Sequence, residues 1–261
     1  MKGKKNCCCN TCDCLKIPRN YWEFHPIFLL PVQKSELGIH SDISKKTEMS
    51  VLHIFDMDGT LLRGTTASLE IAKALDCVNE LLQLEQAFGS GEMPAHIFAQ
   101  KVFQLWHALT PEIVRNVANN APWINGISEV FTDIRKRGEQ SLVITMSPDF
   151  FANHLLSMGA NTVSASRFPV PPFSGGLDVS GILTPQAKVT ISRKMLNDAL
   201  PQLVTPVAYG DSASDIPLFQ SLENTVSING DSYIESCAGA RYRGDDLWEA
   251  YSMARAKYLP V

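Results

Sequence analysis

The sequence predicts an α/β fold: a doubly wound parallel sheet carrying a helical insertion after its first strand. Short apolar runs at 51–55, 141–145 and 204–209 end at acidic or hydroxyl residues. Buried parallel strands have this form when their carboxyl ends deliver side chains into a crevice. After the second run, strand-like and helix-like segments alternate, as in a parallel sheet with crossover helices. The stretch between the first two runs shows only helical periodicity, which marks it as an insertion.

Val51-Leu52-His53-Ile54-Phe55 is the first strand and ends at Asp56. His53, inside it, reads as a core histidine with satisfied hydrogen bonds. From Thr66 to Arg137, apolar residues such as Leu69, Ile71, Leu75, Val78 and Leu81 recur at helix spacing, and further helices begin near Pro94, after Thr110 and near Gly126. Trp106 and His107 fall in this region as packing residues. Ser141 to Thr145 is the second strand, Asp149 to Met158 a helical run, and Thr162 to Ala165 the third strand. Prolines and the Gly175-Gly176 and Gly181 breaks predict a β-hairpin or flap over 168–183. A helix from about Pro185 to Ala199 leads to the strand Val204 to Tyr209, and a helix and the short strand Thr225 to Ile228 follow. Ligands of such sheets bind beyond the carboxyl ends of the strands, where Asp56, Thr145 and Asp211 fall.

The bulk composition narrows the function. With 261 residues, 45% of them hydrophobic, the chain can bury a large core. Its 27 acidic and 23 basic residues give a net charge of -4, so no broad basic field exists for nucleic acid or anionic lipid. The apolar stretch Ile27 to Val32 is far shorter than the roughly 20 residues of a membrane span. Lys2, Lys4 and Lys5 precede a polar, cysteine-crowded stretch where a secretory signal needs an apolar core. The expectation is a soluble cytoplasmic protein, monomeric or homodimeric, with neither a nucleic-acid nor a membrane partner.

Cys7, Cys8, Cys9, Cys12 and Cys14 crowd the N-terminus, while Cys77 and Cys237 stand alone, a distribution unlike a disulfide framework. No second cluster completes a tetrahedral zinc site with Cys9, Cys12 and Cys14. Residues 1–50 read as a Cys-rich, disordered extension, and Met49 is a candidate start of translation.

The chemistry concentrates at Phe55-Asp56-Met57-Asp58-Gly59-Thr60. Two carboxylates two residues apart on a glycine turn can share a divalent cation and divide a phosphoryl transfer. Asp56 would attack phosphorus, and Asp58 would protonate the leaving alkoxide and later deprotonate water. The plainer alternative is that Asp58 caps the next helix. Val207-Ala208-Tyr209-Gly210-Asp211-Ser212-Ala213-Ser214-Asp215 repeats the strand-glycine-carboxylate pattern. Asp211 would complete a magnesium site with Asp56 and Asp58, and Asp215 would orient a ligand, a water or Lys188 from behind.

These motifs, in this order, resemble the haloacid dehalogenase superfamily and, within it, the phosphoserine phosphatase-like branch, from about Val51 to near the C-terminus. The resemblance implies a catalytic core at 51–65 and 138–261, a small helical cap at 66–137, Mg²⁺ as cofactor, and hydrolysis of a small phosphorylated metabolite through an aspartyl phosphate. It implies that Thr145 and the N–H of Met146 hold phosphate. Ser147 is the competing choice, disfavoured because the following Pro148 has no N–H. It also implies that Lys188 neutralises phosphate charge. The chain departs from phosphoserine phosphatase at three substrate positions: Thr65 replaces a Glu, Lys101 an Arg and Ser214 an Asn. Phosphoserine stays the first named candidate on resemblance alone, with sugar phosphates or other phosphorylated metabolites next. A phosphotransferase or mutase of the same superfamily, or a receiver-like module phosphorylated on Asp, are the alternatives.

Overall fold

The structure is a computed structural model that describes residues 50–199 and 203–260. The expected extension lies outside the described residues except for Ser50, which opens the first strand.

The elements run β1 (Ser50–Phe55), α1 (Ala67–Ala74), α2 (Val78–Gly89), α3 (Ala95–Leu105), α4 (Pro111–Asn120), α5 (Ile127–Lys136), β2 (Gln140–Pro148), α6 (Asp149–Ala152), α7 (His154–Ser157), β3 (Thr162–Ser166), α8 (Pro185–Asp198), β4 (Val204–Gly210), α9 (Ile216–Ser221), β5 (Thr225–Ile228), α10 (Ser232–Cys237), β6 (Ala240–Tyr242) and α11 (Leu247–Tyr258). Six parallel strands form one sheet in the order β3-β2-β1-β4-β5-β6. The chain builds outward from β1 in one direction, then returns to β4 and builds outward in the other. The order therefore reverses between β1 and β4, whose carboxyl ends flank the crevice that such sheets use for ligands.

Both sheet faces are covered. Val51, Phe55, Val143, Val207 and Tyr209 enter one apolar cluster, while Leu52, Ile54, Leu142, Ile144 and Ala208 enter a second. This alternation within unbroken apolar strands follows from the period of two and from burial on each side. The first cluster holds Phe55 edge-on to Phe131 of α5, with ring centroids 5.6 Å apart. Thr110 and Thr184 start α4 and α8 by accepting the N–H groups of Ile113 and Ala187, with proline next in each helix.

Two expectations change, and one strand is new. The insertion expected over 66–137 ends earlier. Ile124 N–H donates to Leu61 at 2.9 Å and Arg63 N–H to Pro122 at 2.9 Å, so the chain is back beside its exit point before α5. That helix packs on the sheet and on α11, where the Tyr251 hydroxyl donates to Asp133 at 2.8 Å. No hairpin forms over 168–183, which contains only the short 3-10 turn Val179–Gly181. Pro169, Pro171 and Pro172 lack the N–H groups a ladder requires. The structure adds β6, too short for a pattern of its own and pinned by its register on β5.

His53 is fully buried, accepting from the Tyr209 hydroxyl at Nδ1 (3.1 Å) and donating from Nε2 to Glu139 (3.0 Å), in keeping with a satisfied core histidine. Among the described residues, no helix is long and apolar enough to cross a membrane.

Candidate active site

The register places Phe55 opposite Tyr209, so Asp56 and Asp211 emerge side by side where the strand order reverses. Asp56 is anchored by its own N–H to the Tyr209 carbonyl at 2.9 Å. The chain then turns at Gly59, which has φ +80, and a Cβ there would collide with the Asp211 carboxylate. Glycine is therefore needed twice over, for the left-handed backbone and for the close approach of β4.

Lys188 reaches this point from α8. Its Nζ lies 2.6 Å from Asp56 Oδ1 and 2.6 Å from Asp215 Oδ1, and 3.3 Å from Ser214 Oγ. The side chain is 1% exposed, so the two ion pairs are dry. Burial alone would lower the lysine pKa, but the Asp215 and Asp56 carboxylates outweigh it and hold the ammonium charged. Asp215 uses its other oxygen on the N–H groups of Asp211 (3.1 Å) and Ser212 (3.4 Å). It is committed to Lys188 and to the turn that presents Asp211.

Asp58 does two things at once. One oxygen accepts the Ala67 N–H at 2.7 Å, capping α1 as the plainer alternative required. The other accepts the Thr145 hydroxyl at 2.9 Å. Thr145 is fully buried, and its hydroxyl also accepts the Ser147 N–H at 3.0 Å. Met146 and Ser147 border the cavity described below, at a point where the pairing of β2 with β3 breaks between Ile144 and Pro148.

Asp56, Asp211 and Asp215 can bring one oxygen each within 4.8 Å of one another. This differs from the expected trio, because Asp58 points at Ala67 and Thr145 and is replaced in the cluster by Asp215. With Asp215 spent on Lys188 and the turn, Asp56 and Asp211 remain for a cation. Asp211 Oδ1 is buried with no hydrogen-bond partner, an arrangement that costs free energy until something positive meets it. The Asp211 carboxyl is pushed up to about 7 by burial and then by the Asp215 charge. Burial, then Asp215, likewise raises Asp56 well above the usual range, against the pull of Lys188. An all-oxygen, charge-crowded pair of this kind fits a small hard divalent ion such as Mg²⁺.

These groups open into a cavity of about 570 Å³. Ala95, Phe98, Ala99, Val102 and Trp106 bring one face of α3 to its wall. Lys101 lies about 120° around that helix from the lining face, is exposed, and is not among the residues that line the cavity. Thr65 does line it, but its hydroxyl donates to Glu70 at 2.7 Å. Ser214 lines it beside Lys188. The sequence reading missed Glu85 of α2, a half-buried lining residue that accepts from the Thr66 hydroxyl at 3.5 Å. Its signal was present: Glu85 is an acid set in the stripe of Val78, Leu81, Leu84 and Phe88.

The model of the haloacid dehalogenase-like hydrolases matches residues 54–220. The chain belongs to this family of enzymes. No curated protein matches it in sequence. Among solved structures, a substrate-bound phosphoserine phosphatase complex is 22% identical at TM-score 0.65, covering 82% of this chain and 100% of that one. A phospho-aspartyl intermediate analogue of phosphoserine phosphatase gives the same identity, coverage and score. A probable phosphoserine phosphatase from Vibrio cholerae is 18% identical at TM-score 0.62, covering 81% of this chain and 69% of that one. The chain thus has the fold of the phosphoserine phosphatases.

Proposed function

We propose that the protein is a magnesium-dependent phosphatase that hydrolyses a small phosphomonoester through a phosphorylated Asp56. One observation carries this reading: Asp56 sits at the strand-order reversal with one oxygen held by buried Lys188, facing a cavity it shares with Asp58 and Asp211. Two of the similar structures, one a substrate complex and one a phospho-aspartyl intermediate analogue, are phosphoserine phosphatases, and they make the same chemistry the natural comparison.

The free oxygen of Asp56 attacks phosphorus as the ester P–O bond breaks, and Asp58 supplies the proton that the departing alkoxide takes. Asp58, now a carboxylate, removes a proton from water as that water attacks the aspartyl phosphate, which releases phosphate and restores Asp56. Ala67 N–H and the Thr145 hydroxyl fix the Asp58 carboxyl for both transfers. Lys188 offsets charge on the phosphoryl oxygens, the N–H of Met146 receives them, and Asp215 keeps the ammonium in place, while the Thr145 hydroxyl stays committed to Asp58. Mg²⁺, held by Asp56 and Asp211, would neutralise the remaining charge. The helices α1 to α3 line the site and, with α4, would act as the cap that limits water entry.

The test is hydrolysis of p-nitrophenyl phosphate with and without Mg²⁺. Activity abolished by chelator and by Asp56→Asn is expected. Turnover that survives either change would refute the reading.

A further inference from the structure

The cavity wall supplied by α2 and α3 has a charge and a texture of its own. Its charged group is the Glu85 carboxylate. The same wall carries Phe88 and Phe98, whose rings stack with centroids 4.9 Å apart, and Trp106. Lys188 is the basic residue among those lining the cavity, and its ammonium is already shared between Asp56 and Asp215. The cation expected on α3, Lys101, is off the lining.

These facts discriminate between leaving groups. A carboxylate on the substrate would find no free cation along this wall and would be repelled by Glu85. A purely apolar group would cover a half-buried carboxylate whose protein contact is the Thr66 hydroxyl at 3.5 Å. An ammonium would donate a charge-assisted hydrogen bond to Glu85 within a wall that is otherwise apolar and aromatic. Burial already raises the Glu85 carboxyl, with Asp58 adding to the shift, and a cation placed there would reverse that trend.

Resting on the phosphatase reading above, the geometry points to a phosphomonoester of an amino alcohol as the substrate class, an ammonium on an apolar stem without a carboxylate, with Glu85 as the residue that selects it. Phosphoserine, which carries both an ammonium and a carboxylate, is then a poorer substrate than its decarboxylated counterpart.

The experiment compares kcat/KM of the full-length protein, with Mg²⁺, on 2-aminoethyl and 4-aminobutyl phosphates, on ethyl and butyl phosphates, and on O-phosphoserine. p-Nitrophenyl phosphate is the control for phosphatase activity as such. The amino-alkyl esters are expected to exceed their alkyl counterparts by roughly tenfold or more, and to exceed O-phosphoserine. Glu85→Gln should collapse the amino-alkyl to alkyl ratio, and Glu85→Lys should shift preference toward O-phosphoserine. A wild-type preference for O-phosphoserine over 2-aminoethyl phosphate would overturn the assignment even if the variants fail to fold. So would a Glu85→Gln protein, folded by circular dichroism, whose ratio is unchanged. Absence of p-nitrophenyl phosphate hydrolysis would instead refute the underlying phosphatase reading, and the substrate assignment with it.

Discussion

Replacing Lys188 by methionine keeps an unbranched apolar stem and removes the ammonium that joins Asp56 to Asp215 at 2.6 Å each. All three side chains are no more than 5% exposed, so water can reach the lost contacts only by way of the cavity that Asp56 and Lys188 line. Breaking a buried pair by removing one partner costs about 3–5 kcal/mol, and here one ammonium leaves two carboxylates behind. The expected loss is therefore near the top of that range, about 5 kcal/mol. The pH of the measurement follows from the sign of the lysine shift. The fold raises the pKa of Lys188, so its contribution is complete below the ordinary value of 10.5 and is lost only as pH rises through the folded value. Urea unfolding at about pH 8 in chelator lies inside that window. Asp215→Asn in the Lys188→Met background should restore part of the stability, because it removes one stranded charge, so the two changes are strongly non-additive. A Lys188→Met loss below about 1 kcal/mol, the range of surface ion pairs, would refute the reasoning, as would simple additivity.

Gly59→Ala should reduce phosphatase activity by orders of magnitude, because the new methyl meets the Asp211 carboxylate in a backbone with φ +80; kcat on an aryl phosphate checks this, and near-normal turnover would contradict the close approach. His53 should make stability pH-dependent near neutrality. Burial lowers its pKa in the fold, so the unfolded chain binds a proton that the native state resists, and stability falls as pH drops below 6.5. The limiting slope is about 1.4 kcal/mol per pH unit, and His53→Gln should flatten it in urea titrations across that range.

The sheet was legible because its central strands are apolar runs ending in chemistry-bearing residues, a pattern that few other structures produce. Asp56, Asp58, Asp211 and Asp215 could be named from spacing and Lys188 from the family resemblance; Lys188 bonds Asp56 and Asp215, Asp215 accepts the Asp211 N–H, and Asp58 lines the same cavity as Asp56 and Asp211. The use of each oxygen could not be named, because it depends on competition. Asp58 is drawn toward α1 and Thr145, while Asp215 is drawn into the carboxylate cluster by Lys188. Periodicity also could not assign α5. Its amphipathic pattern reads the same whether it covers an insertion or the sheet, and only Phe131 against Phe55 decides. The 168–183 segment misled because prolines and glycines announce a turn without saying whether strands flank it.

The adjacency of Leu61 with Ile124 and of Arg63 with Pro122 has a consequence for how this architecture can diversify. Because the polypeptide departs from and rejoins the sheet at neighbouring points, the intervening helices form a cassette. A different set of helices, of another length, could be spliced between the same two anchor points without shifting a single strand. Selectivity can then evolve on one side of those anchors while the reactive groups on the other side keep their places.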